Sequence, residues 1–229
     1  MPKPLFYAFF FEYIMNISVK QMMQIEENGH KMGFLRKFMM ENAGASAVRR
    51  LEEKFTNLVS KNILIFAGLG NNGGDAFVIA RHLAGHGSKV TVVLLGLPEK
   101  IKTEEGRWNW ELLEKMNSIK LITGEKPSFE VNADIIVDGI LGTGISGDIR
   151  EPYASAMKFV NNSTAFKLAV DVPSGLDPDT GNTSNIYVKA DVTVTFHKMK
   201  IGMPKRKDLC GQIFVEKIGI PPEAEVGVL

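Results

Sequence analysis

One cysteine, Cys210, stands alone in 229 residues. That excludes an intramolecular disulfide and any zinc site built from several thiolates, and it points to a reducing, cytoplasmic setting. An excess of one charge is also missing, with 27 Lys and Arg against 26 Asp and Glu. Nucleic-acid binders show a marked basic excess, so no nucleic-acid partner is expected. No apolar run approaches the ~20 residues that span a bilayer, so no membrane partner is expected either. Tandem repeats, low-complexity tracts and interdomain linkers are absent. Only two tryptophans occur, Trp108 and Trp110. They stand too close to share the core face of one helix, so one is expected to cover a subunit contact.

What is present suits a packed globular protein. The apolar fraction is 45%, ordinary for a domain with a proper core. The length fits one α/β domain, expected over residues 15–229. Residues 1–14 stand apart as a leader: one lysine precedes a short aromatic run, Glu12 interrupts it, and no small-residue cleavage site follows. Met15 is the expected natural start.

Periodicity places the elements. Ser18 and Gln21 have capping-box spacing at the head of a helix over about 18–28. A second helix lies within 33–54, with Met39, Ala43, Ala47 and Leu51 on one face. Its Asn42 and Gly44 are poor helix formers. They imply either a close helix contact at Gly44 or a place for Glu41 or Asn42 near a ligand or subunit contact. Strands are expected at 62–67, 89–95, 119–123, 134–140, 167–171, 190–196 and 212–216. Helices are expected at 74–85, 103–117 and from about Pro152. Such alternation predicts a Rossmann-like three-layer αβα sandwich around a mostly parallel sheet. The binding side lies at the strand carboxyl ends.

Two glycine-rich loops fall on that side. Gly68-Leu-Gly70-Asn-Asn-Gly73 follows the first strand, and Gly142-Thr-Gly144-Ile-Ser-Gly147 follows the strand ending near Ile140. Each has the context in which backbone N–H groups cradle phosphate. A third polar loop, Asp171-Val-Pro-Ser174-Gly-Leu-Asp177, ends a later strand. A nicotinamide-dependent dehydrogenase would need a carboxylate near the end of the second strand to hold the ribose hydroxyls. The sequence there is Val93-Leu-Leu-Gly-Leu-Pro98, so that class is disfavoured. Asn72, Asp138 and Ser174 offer oxygen donors with one formal negative charge. Such a set suits a monovalent cation better than magnesium; the competing role for Asp138 is a simple loop cap. His82 and His86 have metal-compatible helical spacing but no third ligand, so surface or packing roles are expected.

The segments Asn71-Asn-Gly-Gly-Asp75, Val137-Asp-Gly-Ile-Leu-Gly-Thr-Gly-Ile-Ser-Gly147 and Val170-Asp-Val-Pro-Ser-Gly-Leu-Asp177 resemble signatures of the NAD(P)H-hydrate epimerases, the YjeF N-terminal domain family. Met40-Glu-Asn-Ala-Gly44, Ala80-Arg-His-Leu83, Arg150-Glu-Pro-Tyr153 and Ala190-Asp-Val-Thr-Val-Thr-Phe196 extend the resemblance over about 17–218. It implies a dimer that interconverts the R and S hydrates of NADH and NADPH (NADHX and NADPHX). It also implies one potassium ion per subunit, held by Asn72, Asp138 and Ser174. Asn71, Asn72, Gly73, Gly74 and Asp75 match positions that contact the damaged nucleotide. So do Gly142, Thr143, Gly144, Ile145, Ser146, Gly147, Asp148 and Asp171.

Three departures stand out. Gly68-Leu-Gly70 replaces the usual Gly-Pro-Gly, and His197 and Lys198 are additions expected at the cleft rim ahead of Lys200, which fits the family's lysine. No dehydratase domain follows, so a stand-alone epimerase is expected, coupled to a separate dehydratase. Asp171 is the expected general acid/base, raised toward neutrality by burial or neighbouring carboxylates, with pure substrate binding as the other role open to it. The competing class is a non-catalytic nucleotide-binding or protein/RNA-interaction module. That class would be expected to lose the polar loop residues retained here.

Overall fold

The computed structural model describes residues 16–125, 127–129, 132–144 and 147–229. The leader 1–14 and the expected site residues Ile145 and Ser146 lie outside them. Seven strands form one sheet: β1 (Asn62–Ala67), β2 (Lys89–Leu94), β3 (Ile119–Ile122), β4 (Ile135–Gly139), β5 (Phe166–Val170), β6 (Val192–Phe196) and β7 (Gln212–Glu216). Their order is β3-β2-β1-β4-β5-β6-β7. Every pairing is parallel, so the sheet is wholly rather than mostly so.

Strand residues alternate between two cores, which explains the near-continuous apolar runs. Ile63, Ile65 and Ala67 of β1 join Val137 of β4 and Leu168 of β5 in one core. It lies beneath α1 (Val19–Lys31), α2 (Arg36–Lys54), α3 (Asn71–Gly85) and α4 (Glu104–Leu113). Leu64, Phe66 and Ile136 face the opposite way, against α5 (Tyr153–Asn162). The short α6 (Lys207–Cys210) closes a smaller cluster that contains the buried, free Cys210. No described helix is long and apolar enough to cross a membrane.

The cap at Ser18 forms as the spacing predicts: its Oγ accepts from Gln21 N at 3.2 Å and its N–H donates to Gln21 Oε1 at 2.9 Å. Gly44 marks a close helix contact, because a side chain there would land on Val78 of α3. Glu41 pairs with Arg81 and His82 of α3, and Asn42 Nδ2 donates to the Ile218 carbonyl at 2.9 Å. His86 faces a different carboxylate, Glu52, so the two histidines serve separate pairs. Trp110 is 3% exposed, against 45% for Trp108. The buried indole packs on Phe77 and donates to Glu114 Oε1 at 2.8 Å.

One boundary differs in a way that shapes the site. Helix α3 begins at Asn71, not Gly74, with extended Gly70 as its N-cap. Asn71 to Asp75 therefore form the first turn of a helix, not a loop. Gly73 is required there by packing, since a methyl group would overlap the Gly68 carbonyl oxygen. Alanine in a helix gains up to about 1 kcal/mol over glycine, whereas overpacking against backbone costs about 1–3 kcal/mol. The clash wins, so Gly73→Ala is expected to lower the melting temperature by several degrees in calorimetry. An unchanged or raised transition would refute the close approach.

Candidate nucleotide cleft

The winding of the sheet reverses between β1 and β4, and ligands of such sheets bind outside the strand ends at that point. The loops after these strands are stitched by Gly68 N donating to the Gly139 carbonyl at 2.9 Å. A cavity of about 390 Å³ opens above them. Gly70, Asn71, Asn72 and Asp75 line it from the head of α3, and Gly142, Thr143 and Gly144 from the loop after β4. Gly70 supplies no side-chain cap to α3. The first N–H groups of a 15-residue helix are thus left for an anion.

The three expected cation ligands meet in one hydrogen-bonded cluster. Asp138, at the end of β4, is fully buried. Its Oδ1 accepts from Ser174 Oγ at 2.6 Å and its Oδ2 from Ser174 N at 2.8 Å. Asn72 Nδ2 donates to the Leu141 carbonyl at 3.1 Å, and Leu141 N donates to Ser174 Oγ at 2.8 Å. Burial pushes Asp138 up to about 6 despite the Ser174 hydrogen bonds that oppose it. An anion buried among neutral donors is the chemistry a cation relieves.

Asp171 sits just past β5 with φ +60°, a conformation a non-glycine residue adopts only under constraint. Its N–H donates to the Val194 carbonyl at 2.8 Å. The turn places its carboxylate against β6, where Oδ1 accepts from Thr195 Oγ1 at 2.9 Å, Phe196 N at 3.1 Å and Lys200 Nζ. Lys200 is 1% exposed. Ile17, ahead of α1, holds that segment by pairing with Met199 and Ile201 at 2.9 and 3.1 Å. The carboxyls that burial pushes up are neighbours of Asp171 in the cavity. Asp75 rises well above the usual range through burial, then through Asp171 and Glu26. Burial, then Asp171, raises Glu26 to about 7.

Not every expected residue has its side chain on the cavity wall. Gly73 and Gly74 are buried in the helix packing, where Gly74 backs onto Met40. Gly147 and Asp148 are exposed and do not line the cavity. His197 and Lys198 are not rim residues. His197 Nε2 and Lys198 Nζ each lie 2.9 Å from Glu225, tying the turn Pro222–Glu225 to the end of β6. Conversely, Glu26 of α1, Arg36 and Met40 of α2, Lys102 and Tyr153 line the cavity without having been expected there. For Glu26 a signal existed. Met22, Ile25 and Gly29 form the buried stripe of α1, and a glutamate four residues after Met22 falls within it.

A doubly wound parallel sheet, an uncapped helix start and carboxylates gathered at the strand ends define an α/β protein with a polar cleft at its topological switch point. Residues 36–202 match the family described as YjeF-related protein N-terminus, and the chain belongs to that family. It is 68% identical over 215 residues to a protein of Nitrosopumilus maritimus named NAD(P)H-hydrate epimerase, covering 94% of this chain and 100% of that one. A protein of Cenarchaeum symbiosum with the same name is 64% identical over the same coverage. The bifunctional NAD(P)H-hydrate repair enzyme Nnr of Hyperthermus butylicus is 46% identical over 209 residues, which are 89% of this chain and 38% of that protein. The crystal structure of the yeast protein ynu0 superposes with a TM-score of 0.75 at 25% identity, covering 88% of each chain.

Proposed function

We propose that this protein is an isomerase, an NAD(P)H-hydrate epimerase that interconverts the R and S forms of NADHX and NADPHX at C6 of the damaged nicotinamide ring. The observation that carries it is the meeting of the Asp171–Lys200 pair and the uncapped start of α3 in one cavity. The C6 hydroxyl neighbours the ring nitrogen, so the centre is a hemiaminal. Once protonated, the hydroxyl leaves as water and the nitrogen lone pair stabilises the resulting iminium. Water returning to the opposite face inverts C6, with no change of oxidation state. In this reading the head of α3 binds the pyrophosphate, while Asp171, held by Lys200 and Thr195, moves a proton at the C6 oxygen.

The same reading puts potassium at Asn72, Asp138 and Ser174. One carboxylate among neutral oxygen donors fits a monovalent cation, which supplies positive charge to the loops and the nearby pyrophosphate. Residues 15–229 act as one epimerase domain, with 1–14 as an added leader. Exposed Trp108 is available to a homodimer contact, the S hydrate passes to a separate dehydratase, and the setting is cytoplasmic.

The test follows the R/S ratio of epimer-enriched R-NADHX by chromatography, with and without protein, in potassium and in sodium buffer. Protein-dependent equilibration, severalfold faster in potassium, is the expected result. Folded protein that binds the nucleotide without accelerating exchange would overturn the enzyme in favour of a binding module. Equal rates in the two buffers would overturn the potassium assignment alone.

A further inference from the structure

The cavity gathers more carboxylates than its buried lysine can neutralise. Glu26 comes from α1, Asp75 from α3 and Asp171 from the end of β5, and all three line the same space as Lys200. An ammonium has three N–H donors. Those of Lys200 already face Asp171 Oδ1, Thr195 Oγ1 at 2.9 Å and the Phe196 carbonyl at 3.2 Å. None remains for Glu26 or Asp75. The other charged groups on the cavity are Arg36 of α2, which pairs with Glu27, Lys102 ahead of α4 and Glu105 in its first turn.

Inversion at C6 demands that water leave one face of the ring and arrive at the other. A carboxyl held on one side of a planar iminium cannot serve both. Resting on the epimerase reading above, we propose that Glu26 is a second proton-transfer residue of this reaction, working with Asp171 so that one carboxyl serves the departing water and the other the arriving one. In one direction the neutral Glu26 carboxyl protonates the C6 hydroxyl. The C6–O bond breaks, its electron pair leaves on water, and the nitrogen lone pair forms the C6–N double bond. A second water adds to the opposite face, that electron pair returns to nitrogen, and the Asp171 carboxylate takes the released proton. Glu26 has lost one proton and Asp171 gained one. The reverse epimerisation, or exchange with solvent, restores them.

Glu26 suits this role better than Asp75. Its elevation to about 7 leaves acid and base forms both populated near neutrality, as transfer in two directions requires. Asp75, raised by burial and then by Asp171 and Glu26, sits at the head of α3, the end that the epimerase reading gives to the pyrophosphate.

Glu26→Gln decides the matter, assayed with R-NADHX beside the wild type from acid to alkaline pH. The variant is expected to lose about 100-fold or more in turnover and the pH limb near 7. It should still bind the nucleotide, and Glu26→Asp should recover part of the rate. Folding is not expected to suffer. The raised folded value means that ionisation of Glu26 opposes folding as pH climbs from 4.5 to about 7, so the amide should melt no lower than the wild type above that range. A folded Glu26→Gln within about threefold of wild-type turnover, with the pH profile unchanged, overturns the role. Should the amide misfold, a fully active Glu26→Asp with an unmoved limb overturns it equally. An inactive wild type overturns the epimerase reading itself, a distinguishable result.

Discussion

Asp171→Asn is expected to slow epimerisation of NADHX by about 10²- to 10⁴-fold while leaving the fold in place. Asparagine is the informative replacement because position 171 has φ +60°, a conformation asparagine accepts better than alanine does. Its amide oxygen can still accept from Thr195 Oγ1 and Phe196 N, so the turn keeps its anchors. What disappears is a group that can carry a proton at the C6 oxygen and the negative charge beside the developing iminium. Turnover with R-NADHX, together with a thermal melt and nucleotide binding, separates these effects. A folded Asp171→Asn that turns over near the wild-type rate would remove Asp171 from the chemistry.

Lys200→Met carries the largest expected loss of stability. The ammonium is buried with Asp171, Thr195 and the Phe196 carbonyl around it. Methionine fills much of the same volume without charge. Breaking a buried pair by removing one partner costs about 3–5 kcal/mol, because the other charge stays behind. Asp171 keeps some contact with the cavity, with 16% of its side chain exposed. The lower end, about 3 kcal/mol, is therefore expected, a fall of about 6–12 °C for a chain of this size. Combining Lys200→Met with Asp171→Asn should recover part of the loss, since no charge is then stranded. A single variant that melts within a degree of the wild type would show that the pair contributes little to folding.

Glycine spacing, apolar runs and turn residues place all seven strands, and the Ser18 capping box forms as its spacing requires. These are local signals with local causes: side-chain period, cap chemistry and burial on both sheet faces. The glycine-rich loops and the trio Asn72, Asp138 and Ser174 are legible for the same reason. Each follows a strand, and strands of a parallel sheet share one end. Where periodicity misplaces a boundary, packing is responsible. The pair Gly73-Gly74 has the composition of a loop yet occupies a helical turn, because Gly68 and Met40 leave no room for side chains there.

By itself the sequence determined the αβα class, the strand ends at which the cavity opens, the polar residues delivered there and the resemblance to one enzyme family. Tertiary structure alone decided how those residues are charged. The left-handed turn at Asp171, its pairing with a lysine 29 residues away and the approach of Glu26 from the first helix depend on elements far apart in the chain. A carboxylate's protonation is set by burial and by the charges around it. Those are properties of the assembled cavity, which no pattern along the chain encodes directly.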